Sequence, residues 1–231
     1  LLLLYNSIIR EQVKDHEGSE VERQEEGFII SFVSVAKAVE CALSIQKRLH
    51  VAAELIGLRI GLHAGVPVNK SQKIFGSTIG FARYLCSIGN DNHIMISATV
   101  RNLYKENDTN MIGGRSNVKC LTAAEENFLE TLVNTLDDHW QDPQFGVPDF
   151  CTTMSMSKPQ LYRKSMAITG MSPNTLLREY RLLQSLDLLR NEDRNIAQTT
   201  FDTGFSSPSY FTKCFQKRFG IQPQAYLKAR V

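Results

Sequence analysis

Two stretches near the C-terminal end, "SMSKPQLYRKSMAITGMSP" (155–173) and "GFSSPSYFTKCFQKRFG" (204–220), follow one plan: serine, then proline, then a mixed apolar and basic run, then glycine. In the second stretch Ser207 suits an N-cap, because its hydroxyl can accept from the free N–H groups of a first helical turn. Pro208 falls at the first helical position, where a missing N–H costs nothing, and Gly220 ends the helix. Phe211, Cys214, Phe215 and Phe219 recur at helical spacing and predict one buried stripe. Ser209, Thr212, Lys213 and Gln216 occupy the opposite face, which carries no acid. In the first stretch Ser157 is the cap and Pro159 lies in the first turn. Leu161, Ser165 and Ile168 share one face; Pro159, Tyr162, Arg163 and Met166 share the other. Short helices over 147–154 and 196–203, each followed by a tight turn, precede these two. The pattern constrains this part of the chain to helices arranged as two helix-turn-helix units.

Between the units runs "SPNTLLREYRLLQSLDLLRN" (172–191), capped by Ser172 with Pro173 in the first turn. At ~1.5 Å per residue its helix spans about 25 Å. A spacer of that size can hold two helices near the ~34 Å separation of successive major-groove faces. A small, polar, basic face is what a major-groove helix needs, since its side chains must donate to base edges and phosphates. On one helix alone a solvated surface face would look the same; the pairing is the more specific feature.

Charge is distributed accordingly. The 231 residues carry a formal net charge of only +2. Residues 121–155 hold 7 acids and no Lys or Arg, whereas residues 156–231 hold 12 basic and 5 acidic residues, 12 minus 5 giving +7. A near-neutral chain therefore ends in a basic module suited to phosphate. The five cysteines are scattered without a CxxC pair, which argues against a Cys-type zinc site or a disulfide framework and fits a reducing cytosol. The five histidines are also scattered, and structural or surface roles are expected for them. No metal or cofactor is expected. The opening Leu1–Leu4 run is far short of the ~20 apolar residues of a membrane span and lacks the flanks of a signal peptide. A cytoplasmic protein without a membrane partner is expected, and the absence of an initiating Met suggests a piece of something longer.

Residues 121–231 closely resemble the DNA-binding domain of AraC-type transcription regulators. The resemblance rests on Ser157, Leu161, Arg163, "TGMSP" (169–173), "REYRLLQSLDLL" (178–189), Ile196-Ala197, the 204–220 segment and Pro223, in order and spacing. It implies that both helices enter adjacent major grooves of double-stranded DNA. Carried over by position, the base-facing residues are Pro159, Tyr162 and Arg163 in the first unit and Pro208, Ser209, Thr212, Lys213 and Gln216 in the second. Lys158, Lys164, Lys217 and Arg218 flank them as phosphate ligands, and Gln160 and Ser207 complete the DNA-binding set. Thr200 stands where the family usually has a small Ala; a β-branched residue there could shift a tight helix crossing.

The first half is mixed. Apolar runs at 28–32, 58–62 and 94–96 read as strands, and helices are expected over 1–16, 34–50, 79–87 and 98–104, giving an α/β or α+β arrangement over one sheet. Residues 105–119 lose periodicity, so the expected domains are 1–104 and 122–231, joined by a linker over 105–121. The segments "GSEVERQEEGFIISF" (18–32), "LRIGLHAG" (58–65), "IFGSTIGFARYLCSIG" (74–89) and "HIMISATVRNLY" (93–104) make 1–104 similar to a class III nucleotide cyclase domain. The resemblance implies a ferredoxin-like, α+β sheet-and-helix domain ahead of the all-α half.

Cyclase chemistry needs two carboxylates on paired metal ions, and an Asn and an Arg at the transition state. The first metal Asp of that family lies on a strand ahead of Leu1. Glu26 stands at the second metal position, one methylene longer than Asp. Gly80 stands at the Asn position and Tyr84 at the Arg position, with Arg83 one residue off. The expectation is a non-catalytic regulatory or dimerisation domain, forming a homodimer and taking an unidentified small-molecule effector. The whole chain then reads as a sequence-specific transcription regulator rather than an enzyme. The alternatives are a nucleotide cyclase, or a nucleotide-binding sensor whose cleft His63 and Arg83 could line, coupled to a DNA-binding module.

Overall fold

The computed structural model describes residues 2–24, 27–65, 75–89, 91–105, 115–190 and 194–228. The chain divides into two compact units, Leu1–Glu130 and Thr131–Val231.

The first unit opens with α1 (Leu2–Asp15), then a hairpin of β1 (Ser19–Gln24) and β2 (Gly27–Ser31), then α2 (Val35–Ile56). The hairpin is antiparallel and shifts register between Glu20 and Glu22. β3 (Arg59–Leu62), α3 (Phe75–Ile88), β4 (His93–Ile96), α4 (Ala98–Lys105) and β5 (Val118–Cys120) follow. The last three strands pair in the order β3-β4-β5, all parallel. Parallel neighbours require a crossover, which α3 and α4 supply. α2 is apolar on two faces. Val39, Ala42 and Leu43 pack with Ile94, Ile96, Val100 and Tyr104 over the parallel sheet. Cys41, Ile45 and Leu49 pack with Tyr5, Ile9 and Val13 of α1, against Phe28 and Ile30 of the hairpin. Gly61 permits α3 to lie directly on β3, since a Cβ there would sit 2.3 Å from the Ala82 carbonyl oxygen.

Several expectations need correction. Among the described residues there are two sheets, a two-stranded and a three-stranded one, rather than one. β5 lies inside the stretch expected to be a linker, because its three residues gain their hydrogen bonds from β4 rather than from any local pattern. The division between units falls at 130/131, within the next helix, and not at 122. α3 begins at Phe75 rather than residue 79, and α2 runs on to Ile56 rather than 50.

Among the described residues α5 (Ala123–His139) is followed by helices only: α6 (Val147–Thr153), α7 (Lys158–Thr169), α8 (Pro173–Leu189), α9 (Ile196–Asp202), α10 (Pro208–Phe219) and α11 (Pro223–Lys228). The start of α8 is capped as its serine predicts, and Asn195 does the same for α9. Ser172 Oγ accepts from Thr175 N at 3.3 Å, and Asn195 and Gln198 cap each other's backbone N–H groups at 2.8 and 3.0 Å. Gly170 and Gly220 end α7 and α10 in the left-handed region. α8 packs against α6, α7 and α9 and is the central strut. Leu182, Leu186 and Leu189 of α8 meet Phe205, Phe211, Phe215 and Tyr226 in one core. Phe211 and Phe215 are wholly buried, with ring centroids 5.6 Å apart. Truncating either to Ala would cost about 3–5 kcal/mol. The chain ahead of the first helix-turn-helix is tied in by Arg181, whose Nε donates to the Trp140 carbonyl at 2.7 Å and whose terminal N–H donates to the Asp142 carbonyl at 2.5 Å. The Tyr180 hydroxyl donates to Asp137.

Thr200 is wholly buried, and its hydroxyl donates to the Ile196 carbonyl at 2.7 Å. The helix itself satisfies the polar atom, so the β-branched residue is accommodated. The five cysteines are free thiols. Among the described residues no helix is long and apolar enough to cross a membrane.

Candidate nucleic-acid interface

α6 and α7 form one helix-turn-helix, and α9 and α10 the other. In α7 the expected inner face is buried: Leu161 and Ser165 are fully enclosed and Ile168 nearly so. The other face is open. Lys158, Pro159, Tyr162, Arg163, Lys164 and Met166 are exposed. Tyr162 is 52% exposed, so about half of its side chain is open to solvent. In α10 Phe211 and Phe215 are buried, Cys214 and Phe219 half-buried, and Pro208, Ser209, Lys213, Gln216 and Lys217 exposed. Thr212 is half-buried at the edge of this face. Both α7 and α10 are free of acidic residues along their whole length.

Three members of the expected set are committed elsewhere. Gln160 Oε1 accepts from the Ser157 backbone N–H at 3.3 Å and from its hydroxyl at 3.2 Å, so its side chain caps the start of α7. Ser207 Oγ accepts from Tyr210 N at 3.4 Å and caps α10. Arg218 Nε meets Glu179 Oε2 at 2.9 Å, and its guanidinium lies over the Phe219 ring. Arg218 therefore ties α10 to α8. Its partner is 39 residues away in sequence, a contact no spacing rule reveals.

The remaining cations divide in the same way. Arg178 lies 3.7 Å from Glu179. Arg190 pairs with Asp187, and Arg194 with Asp202. These belong to the scaffold helices and their connections. Lys158, Arg163, Lys213 and Lys217, on α7 and α10, form no ion pair among the described residues. Such cations stay available to an external anion, while the scaffold's own charge is already neutralised.

The cyclase-like positions have a different character. Gly80 lies in α3 with nothing within 4 Å of where a Cβ would stand. Tyr84 is 4% exposed; burial raises its phenol above the ordinary range, and its hydroxyl has no hydrogen-bond partner among the described residues. A buried neutral phenol cannot supply the cationic donor that the chemistry requires at this position. Glu26 lies outside the described residues.

Residues 150–229 match the family model described as a helix-turn-helix domain. The chain is 35% identical over 118 residues to histidine kinase P4 of Formosa agariphila, covering 48% of this chain and 9% of that protein. It is 32% identical over 103 residues to the HTH-type transcriptional activator RhaR of Pectobacterium atrosepticum, covering 45% of this chain and 36% of RhaR. It thus spans about a third or less of these curated relatives. Among solved structures, a transcriptional regulator of Chromobacterium violaceum with an AraC-type DNA-binding domain aligns with a TM-score of 0.44 at 24% identity, over 48% of this chain and 97% of that one. Residues 150–229 of the chain thus carry a helix-turn-helix domain.

Proposed function

We propose that the chain is a sequence-specific DNA-binding transcription regulator that sets α7 and α10 into adjacent major grooves. One observation carries the reading. On both helices the face opposite the buried stripe is open and free of acid, and its Lys158, Arg163, Lys213 and Lys217 form no ion pair among the described residues. Arg163 and Lys213 lie mid-helix on those faces, where a side chain reaches base edges; Arg can hold guanine O6 and N7 bidentately, worth about 1–3 kcal/mol of discrimination. Pro159, Tyr162, Pro208, Ser209, Thr212 and Gln216 line the same faces and complete the base-reading set. Lys158, Lys164 and Lys217 take phosphates. Gln160, Ser207 and Arg218 contribute by holding the helices rather than by touching DNA.

For the first unit we read a non-catalytic, cyclase-like domain that dimerises the regulator or receives an effector. Gly80 and the buried Tyr84 support the loss of catalysis. A dimer would raise the effective concentration of the second DNA module at paired sites.

The test is selection from a random duplex pool, followed by titration of the selected sequence across salt concentration. An enriched site spanning two successive major-groove turns is expected, with a steep salt dependence. Arg163→Ala should relax preference at one base position. Failure to enrich any sequence, with salt-insensitive or absent binding, would refute the reading. Turnover of ATP or GTP with Mn²⁺ would refute the non-catalytic assignment, and a monomer at all concentrations in gel filtration would refute the dimer.

A further inference from the structure

We propose that His63, Glu126 and Glu130 form a divalent metal site of the Zn²⁺ class at the carboxyl edge of the parallel sheet. The three ligand atoms come from segments that only the fold brings together. His63 follows the last residue of β3, and Glu126 and Glu130 stand one turn apart on α5, whose chain has just left β5. One atom from each lies within 4.8 Å of the others. The carboxyl ends of parallel strands are where open α/β sheets place ligands, because loops and helix starts converge there.

Each residue is prepared for the role. The Glu126 side chain is 5% exposed, and both its oxygens are held by Thr99 at the start of α4. Oε2 accepts from the Thr99 backbone N–H and Oε1 from its hydroxyl, both at 2.9 Å. Each oxygen keeps a further lone pair. Oε1 faces His63 Nδ1 across 3.5 Å, and that buried nitrogen has no hydrogen-bond partner among the described residues. The gap is longer than a good hydrogen bond. It matches two ligands of one ion, since bonds of ~2.0–2.1 Å at a tetrahedral angle separate donor atoms by about 3.3–3.4 Å. The imidazole is fixed edge-on against Phe81, with centroids 4.7 Å apart. A Glu130 oxygen completes the cluster, within 4.8 Å of the other two ligand atoms.

The donor set selects the ion. One imidazole nitrogen with two carboxylate oxygens suits Zn²⁺ and its neighbours, whereas Ca²⁺ and Mg²⁺ sites are built from oxygen. Three protein ligands leave a fourth position for water. In this chain the metal would pin the first two turns of α5 to the end of β3. A metal-ligand role for His63 departs from the structural or surface roles expected of the histidines.

The experiment is calorimetric titration of metal-free full-length chain with Zn²⁺, repeated with Co²⁺ to read its visible d–d absorption. One ion per chain is expected, with Co²⁺ bands of a nitrogen–oxygen site. His63→Gln and Glu130→Gln should each weaken binding by about tenfold or more, at least the loss that follows removal of an outer-shell partner. Glu130 is the cleaner position, because Glu126 also holds the start of α4; folding of both variants is checked by far-UV circular dichroism. No stoichiometric binding by the folded wild-type chain would overturn the proposal. So would binding unchanged in two folded variants, which would put the ion elsewhere. The site stands independently of the DNA-binding reading.

Discussion

Gly204 joins α9 to α10 at a point where backbone conformation and contact can be separated by experiment. Its φ is +74°, and a Cβ there would lie 2.6 Å from the Trp140 carbonyl oxygen and 2.9 Å from Arg181 Cζ and Nε. Gly204→Ala therefore carries two costs. An L-residue in the left-handed region costs roughly 1–2 kcal/mol. Making room for the methyl group also displaces Arg181 from Trp140, and a hydrogen bond to a charged group contributes about 1.5–3 kcal/mol. The sum is about 3–5 kcal/mol, a large part of the stability of an ordinary domain. Gly220→Ala is the control. Its φ is +76°, nearly the same, but nothing lies within 4 Å of the added methyl group. Only the conformational cost of about 1–2 kcal/mol should appear there. The assay is urea unfolding followed by fluorescence of Trp140, the single tryptophan, which lies in the C-terminal unit. The midpoint should fall much further for Gly204→Ala than for Gly220→Ala, with similar m-values. Equal losses in the two variants, within about 0.5 kcal/mol, would refute the role of the Trp140–Arg181–Gly204 junction.

Other outcomes follow from the same geometry. Lys217→Ala should lower the slope of log K against log salt by about one, while Arg218→Ala should leave the slope unchanged and destabilise the fold, because Glu179 already holds that guanidinium. Ser172→Ala should cost about 1 kcal/mol in urea unfolding through the lost cap on α8. Alkaline stability should fall from about pH 8.5 upward. Burial pushes the Cys41 thiol up to about 11, so the unfolded chain releases this proton first and binds fewer protons between the two values; rising pH then favours unfolding until the folded thiol ionises. Cys41→Ala should flatten that part of the pH profile, and an unchanged slope would remove Cys41 as its cause.

The legible parts of the chain were those with local causes. Ser157, Ser172, Asn195 and Ser207 sit beside the turns they cap, and Phe211 and Phe215 repeat at the period of the helix that buries them. The open faces of α7 and α10 follow once their buried faces are known. What escaped depends on partners far along the chain. β1 reads "SEVERQ", with a single apolar side chain, Val21, that is 51% exposed; only its pairing with β2 makes it a strand. β5 is three residues defined by β4. Arg218 looked like a phosphate ligand because Glu179 lies on another helix. Gln160 was placed in the DNA-binding set, and its capping role was visible in the Ser-x-x-Gln spacing. His63 and Glu126 are 63 positions apart and belong to no common motif.

α8 has a consequence for how binding sites of such a regulator can evolve. It is a continuous 17-residue helix, capped at its start, with proline only at its first position and no glycine within. Arg218 clamps one end of α10 to it, and the leucine core clamps the rest. In the proposed complex α7 and α10 are therefore read out as one rigid gauge. Adding a single base pair between the half-sites would carry one of them about 34–36° around the duplex axis, since a turn holds 10–10.5 base pairs. Base changes within a half-site weaken such an operator step by step. Insertions and deletions between half-sites abolish it at once, so promoters under this control should drift in letters while holding their length.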